Sequence, residues 1–280
     1  LFGQVSYRNH QVSTSVALFI VENRINPFKR IAAYNDFRAP VDGSGPSLAG
    51  WRATRTRGRG DTMHIQKLTL HTRDLSLQRT FFSEQLGITP VEQTDRSVAF
   101  RLGRTLLAFE ENPRWDGLYH YALQIPARQF ESAVRWLKQR CPLLQNSEGQ
   151  QVFFFDIWNA QGVYFADADG NIAELIAHHD LDSPDGAEFA PGSILGVSEI
   201  GWVVDDVPAA VQRLEQEYAL APYRGYSHPE FTAVGGSEGR FIVVTRGRPW
   251  LPTGQPATAG WFSAEILTRQ GQQTLVAQPV

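Results

Sequence analysis

The residue in this chain best placed to do chemistry is Glu174, because of where it sits. It lies in Tyr164–Ile176, YFADADGNIAELI, which reads as strand, tight turn, strand. Asp169-Gly170-Asn171 is hairpin-turn chemistry, since Gly and Asn accept the positive φ that such turns require. Beyond the turn, strand alternation puts Ile172, Glu174 and Ile176 on one sheet face and Ala173, Leu175 and Ala177 on the other. A carboxylate on an inward face is costly unless it meets a cation, a metal or strong hydrogen-bond donors. Glu174 therefore either balances a charge or binds something.

The elements that position it belong to an ordinary globular chain. At 280 residues with 42% hydrophobic and 20% charged side chains, there is material for one large domain or two small ones. The single cysteine, Cys141, rules out an intramolecular disulfide framework and suits a reducing compartment. No apolar run approaches the roughly 20 residues of a membrane helix, so the expected location is the cytoplasm, with no membrane partner. Charge is divided unevenly. Residues 1–62 carry nine Lys/Arg and four Asp/Glu, and the remainder seventeen and twenty-five. The group Arg52, Arg55, Arg57 and Arg59 can be read as a nucleic-acid arm. The preferred reading is that 1–62 is a non-native or disordered leader and that the native chain starts at Met63. The acidic remainder argues against a nucleic-acid partner.

From Met63 onward one supersecondary unit recurs. Ile65–Thr72 alternates as a strand, and Asp74 can cap a helix with apolar positions Leu77, Phe81, Phe82 and Leu86, stopped by Gly87. Three strands follow, around 91–93, 98–102 and 105–109, giving β-α-β-β-β. A second copy begins with the strand His120–Ile125. Its helix carries Phe130, Ala133, Val134 and Leu137, the spacing of a helix packed on a sheet. Strands at 152–157 and the pair around Gly170 complete it. A third copy starts at Val197–Val204, with Asp206 as N-cap, Pro208 in the first turn and the stripe Val207, Ala210, Val211, Leu214. Strands at 231–234 and 241–245 follow, and one more at 261–267.

This pattern resembles the vicinal-oxygen-chelate superfamily, which includes glyoxalase I, extradiol dioxygenases and bleomycin-resistance proteins. The residues carrying the resemblance are Leu68-Thr69-Leu70 with Asp74-Leu75, Phe81-Phe82 with Leu86-Gly87, His120-Tyr121-Ala122-Leu123, and Tyr164 through Asn171 leading to Glu174-Leu175. It implies an α+β fold of repeated βαβββ modules, two paired into a curved-sheet cup at 63–180, plus a third module at 194–268 that caps the domain or pairs across a homodimer.

The resemblance also implies a site. By position, His120 is a first-strand metal ligand and Glu174 a last-strand ligand, suiting a divalent Fe, Mn, Zn or Ni ion. The first module departs from the pattern, with Lys67 and Leu107 where ligands would stand. His71 shares the parity of Lys67 and is a possible ligand. Glu199, seven residues before Asp206, completes a site only if the third module folds over the cup. His178 and His179 are expected to face solvent, and His228 to lie in a loop that could act as a lid. Trp158 and Asn159 lie between strands, where they could reach a ligand, and the aromatic run from Phe153 to Phe155 suits a small aromatic guest. The implied function is a metal-dependent enzyme of ring-cleaving dioxygenase, lyase or isomerase type acting on vicinal oxygens of a small molecule, with His120, Glu174 and Lys67 at the centre. Two rivals stand beside it. One is a metal-free binding or sequestering protein in which Lys67 pairs with Glu174. The other is a structural or regulatory partner that uses the third module for assembly.

Overall fold

The computed structural model describes residues 62–182 and 188–278, so the expected leader lies outside the described residues. The first module comprises β1 (His64–Thr72), α1 (Leu75–Thr80), β2 (Pro90–Gln93), β3 (Ser97–Leu102) and β4 (Thr105–Glu111). The second comprises β5 (His120–Gln124), α2 (Phe130–Lys138), β6 (Val152–Phe155), β7 (Ala160–Ala166) and β8 (Ile172–His178). The third has β9 (Gly196–Val204), α3 (Val207–Tyr218), β10 (Phe231–Gly236) and β11 (Gly239–Thr245). A further hairpin, β12 (Phe262–Thr268) and β13 (Gly271–Ala277), follows. The fold is α+β, with βαβββ-type units and strongly curved sheets, as the sequence implies.

Local chemistry explains most boundaries. Asp74 and Asp206 accept the N–H of Leu77 and Ala209 at 3.0 and 2.9 Å, which satisfies exposed donors at each helix start. The expected apolar stripes of α2 and α3 are buried at Phe130, Ala133 and Leu137 and at Val207, Ala210, Val211 and Leu214. The first helix departs from expectation. After Thr80 it widens into a π turn over Phe81–Gln85, which changes the phase of the stripe. Phe81, Phe82 and Leu86 are buried, but Leu77 is 57% exposed. Gln78 takes the inward place, because its amide donates to the buried Asp167 carboxylate at 2.9 Å.

That carboxylate explains the hairpin motif. Asp167 also accepts the N–H groups of Asp169 and Asn171, the Asn171 amide at 2.9 Å and the Tyr121 hydroxyl at 3.0 Å. Burial raises its pKa, and these donors offset only part of that rise. Asn171 in turn accepts the N–H of Tyr119 at 2.9 Å. The Asp-x-Asp-Gly-Asn segment is thus a joint that ties the β7–β8 turn to β5 and α1.

Two sheets form. One is six-stranded, in the order β13-β12-β1-β4-β3-β2, and the other seven-stranded, in the order β10-β11-β9-β5-β8-β7-β6. In each module the first strand runs parallel to the last. The sequence expectation placed the first and second modules in one cup; instead the second shares its sheet with the third. The free edge of β5 pairs antiparallel with β9, Tyr121 opposite Ile200 and Ala122 opposite Glu199. The corresponding edge of β1 is taken by β12, with Leu68 opposite Ala264 and Leu70 opposite Phe262. The strand read as the end of the third module therefore completes the first.

One main core lies behind both sheets, formed by residues such as Leu70, Phe100, Phe109, Tyr121, Phe165, Leu175, Phe241 and Phe262 together with the helix stripes. A separate apolar cluster, including Phe155, Tyr164, Ile176, Phe231, Ile242 and Trp250, lines the opposite face of the seven-stranded sheet. That face forms the cup. Among the described residues, no helix is long and apolar enough to cross a membrane.

Candidate metal centre

Three neighbouring strands of the seven-stranded sheet each send one donor into the cup. His120 comes from β5, Glu174 from β8 and Glu199 from β9, and all three are buried. Their ligand atoms lie within 4.8 Å of one another. His120 Nε2 stands 3.8 Å from Oε2 of Glu174 and 3.8 Å from Oε2 of Glu199. Those separations are too long for hydrogen bonds. Nδ1 is 3.1 Å from the Ile172 carbonyl oxygen, which can only accept. Nδ1 therefore carries a proton, and Nε2, the atom an ion would take, faces the gap between the carboxylates.

The electrostatics of the two acids differ. Burial, then the charge of Glu199, drives the Glu174 carboxyl well above its ordinary range, against a hydrogen bond from Tyr164. Glu199 is held below its ordinary value despite burial, chiefly by the Arg240 guanidinium. Arg240 Nε is 3.6 Å from Oε1 of Glu199. Oε1 of each glutamate is buried without a hydrogen-bond partner. Buried carboxylate oxygens left so are expensive. With Oε2 of each glutamate 3.8 Å from His120 Nε2, the two carboxylates and the imidazole form a donor set that fits a hard or borderline divalent ion. Closing around an ion with bonds of about 2.0–2.2 Å requires the three donors to draw together slightly.

Glycines make room for this arrangement. A Cβ at Gly162 would fall 2.0 Å from Oε1 of Glu174, so only glycine leaves the carboxylate its seat. A Cβ at Gly201 would meet the Trp250 ring at 2.9 Å. Trp250 instead lies down on β9 and roofs His120, with ring centroids 5.1 Å apart. The register also identifies a missing donor. Glu174 lies across from Ala122, two residues past His120. The same step past Glu199 reaches Gly201, which lies across from Ile242. An apolar side chain thus stands where a fourth ligand would, and it lines the cavity.

That cavity has a volume of about 140 Å³ and is walled by Phe155, Trp158, Tyr164, Phe231 and Trp250, with Arg248 also on its lining. This is close to the ~150 Å³ that accepts one benzene ring. Ile157 and Leu251 line it and are exposed.

The structure brings together His120, Glu174, Glu199 and Trp158, and separates the rest. Lys67 and His71 belong to the six-stranded sheet. Lys67 pairs in register with Glu265, not with Glu174. His71 stacks on Trp261 at 4.3 Å, and burial lowers its pKa. Leu107 turns into the main core, and Ala108 occupies the face on which a ligand would stand. Asn159 adopts a left-handed conformation, φ 47°, and donates to Asp180 at 2.7 Å rather than lining the cavity. His228 accepts the N–H of Glu230 at 3.2 Å and caps its own turn. His179 is exposed as expected, but His178 is 2% exposed, because the strand carries it inward to accept a hydrogen bond from Arg240 at 2.6 Å. Burial, followed by the Arg240 charge, pushes its pKa down to about 3. Sequence reasoning missed Arg240, Tyr164, Trp250 and Gly162. The available signal for Arg240 was a lone cation opening an otherwise apolar strand.

No protein-family model matches the sequence, and a search of curated proteins finds no match. Solved structures do match. A candidate dioxygenase from Bacillus subtilis is 14% identical over 79% of this chain and 87% of its own, with a TM-score of 0.51. A glyoxalase I variant from Zea mays is 12% identical over 78% and 93%, with a TM-score of 0.44. A glyoxalase/bleomycin resistance protein/dioxygenase from Nocardioides is 20% identical over 44% and 88%, with a TM-score of 0.35. At such identities the likeness is one of fold.

Proposed function

We propose that this chain, which has the fold of the vicinal-oxygen-chelate proteins, is a metal-dependent enzyme acting on a small, ring-sized molecule. His120, Glu174 and Glu199 would hold a divalent Fe, Mn, Zn or Ni ion. The observation that carries the proposal is their convergence, with His120 Nε2 3.8 Å from Oε2 of each glutamate and all three side chains buried against one cavity. A bound ion supplies Lewis acidity and a template for vicinal oxygens of the substrate.

The chain's own residues do the rest. The Nδ1–H bond to Ile172 keeps the His120 ring in one tautomer and orientation. Tyr164 donates to Glu174 and steadies it. Trp250, Phe231 and Phe155 present flat apolar walls that suit an aromatic or unsaturated ring and exclude water around it. Because Ile242 occupies the fourth position, the open side of the donor set faces the cavity, where a substrate's oxygens would enter.

Metal analysis of the purified full chain tests this. The expected result is one divalent ion per chain in the wild type and none in Glu174→Ala or Glu199→Ala. Metal-free wild type that is nevertheless stabilised by small aromatic ligands, with that stabilisation unchanged in Glu174→Ala, would sink the enzyme reading in favour of a binding protein.

A further inference from the structure

We propose that Arg240 is a specificity-determining residue that makes the loaded centre select a singly charged anionic chelator over a neutral one. The inference rests on the metal reading above and concerns what that centre accepts.

Arg240 has none of its side chain exposed. It stands directly across the β9–β11 pair from Glu199. One nitrogen, Nη2, donates to His178 at 2.6 Å and to the Ser237 carbonyl at 3.0 Å. The guanidinium lies 4.4 Å from the Tyr223 ring centroid and 5.1 Å from that of Trp158, faces that attract a cation. Nε and Nη1 have no hydrogen-bond partner. Stability is a poor reason to keep such a group, since a buried ion pair can often be replaced by apolar residues without loss.

Charge gives a better reason. A guanidinium keeps its charge under all ordinary conditions. His178 Nε2 accepts from Arg240, so that imidazole is neutral. In the loaded centre the ligating carboxylates are ionised and His120 ligates as neutral imidazole, so these groups and Arg240 contribute one negative charge. A divalent ion turns this into one positive charge, and a monoanionic ligand brings it to zero. A neutral ligand leaves an unmatched charge among Trp158, Tyr164 and Trp250, where weak screening makes it costly. Without Arg240 the loaded centre is already neutral, and the preference disappears. Asp156, exposed, and Arg248, half-buried over the Phe231 ring, also line the cavity; both remain when Arg240 is replaced, so a comparison of wild type with an Arg240 variant isolates the charge of Arg240.

The test loads the full chain with Co²⁺, whose visible absorption reports binding, and titrates two probes, acetohydroxamate as the monoanion and imidazole as the neutral ligand. Arg240→Met is expected to weaken acetohydroxamate at least tenfold while imidazole stays within about twofold, and Arg240→Lys should restore most of the anion's affinity. A purely structural role would weaken both probes together. That outcome, or unchanged acetohydroxamate affinity in a Co²⁺-loaded Arg240→Met protein, overturns the proposal and leaves the metal reading intact. If Arg240→Met does not fold, the wild type decides. Acetohydroxamate must then bind the loaded protein at least tenfold more tightly than it binds Co²⁺ in water, with no such gain for imidazole; equal gains overturn the proposal. Wild type that takes up no Co²⁺ overturns the metal reading and this inference with it.

Discussion

The two sheets are built alike and furnished differently. In each, a module's first strand is paired antiparallel with a strand from further along the chain and parallel with its own last strand. Both turn one apolar face to the common core. On the other face, register places Lys67, Ala108 and Ser263 of the six-stranded sheet where the seven-stranded sheet has His120, Glu174 and Glu199. The first set offers an ammonium, which lacks a lone pair, a methyl group and a hydroxyl. The second offers three metal-type donors, backed by Arg240 and roofed by Trp250. Only small clusters such as Ala99, Leu106 and Ala108 are buried on the first face, whereas aromatic walls enclose the second. Backbone topology supplies a concave face twice, and side chains make a site of only one.

The most direct way to break this contrast is to remove a donor. Glu199→Gln or Gly162→Ala should cost the divalent-ion affinity at least the 10–100-fold typical of losing even a supporting partner, while Lys67→Met and Ser263→Ala leave it unchanged. Co²⁺ titration followed by absorption distinguishes the two sheets; equal losses from both would end the comparison. Next in size, Asp167→Asn should destabilise the protein by about 3 kcal/mol, since a buried carboxylate with five donors is replaced by a group that must point an amide at some of them. Urea unfolding measures this, and a loss below about 0.5 kcal/mol would show that the motif is not the joint described above.

The pH dependence of stability sharpens the comparison further. His178, in the site sheet, titrates at about 3 when folded, far below its ordinary 6.5. The unfolded chain therefore takes up a proton that the folded chain refuses. Its contribution is complete above pH 6.5 and is lost as pH falls towards 3, by up to about 1.4 kcal/mol per unit. Glu174 has the opposite sign. Its raised value gives stability that is present below its ordinary 4.5 and is lost as pH rises through the folded value. Denaturant midpoints of wild type and His178→Gln between pH 4 and 7 should show a flatter acid slope in the variant. The smallest effect is expected at Leu77. Leu77→Ala should change stability by less than about 0.5 kcal/mol despite its place in the apparent apolar stripe, and a larger loss in thermal unfolding would mean that it packs after all.

Strand parity around Glu174, the turn at Gly170, the caps at Asp74 and Asp206 and the stripes of α2 and α3 were all legible in the sequence, because each depends on neighbours within a few residues. So was the inward orientation of His120 and Glu174. The inward turn of Gln78 in place of Leu77 was not legible, since a π turn and a distant carboxylate decide it. Nor was the burial of His178, which needs Arg240 from sixty-two positions away.

The sequence by itself determined the recurring strand–helix–strand units and which side chains most strands turn inward, since side-chain alternation and capping are local properties of the chain. Only the tertiary structure decided that β5 pairs with β9 and β1 with β12. Unpaired strand edges present the same backbone donors and acceptors whatever their sequence, so pattern alone does not say which edges meet. That choice of partner brings Glu199 to His120 and Glu174, sets Arg240 behind them, and leaves Lys67 in the other sheet.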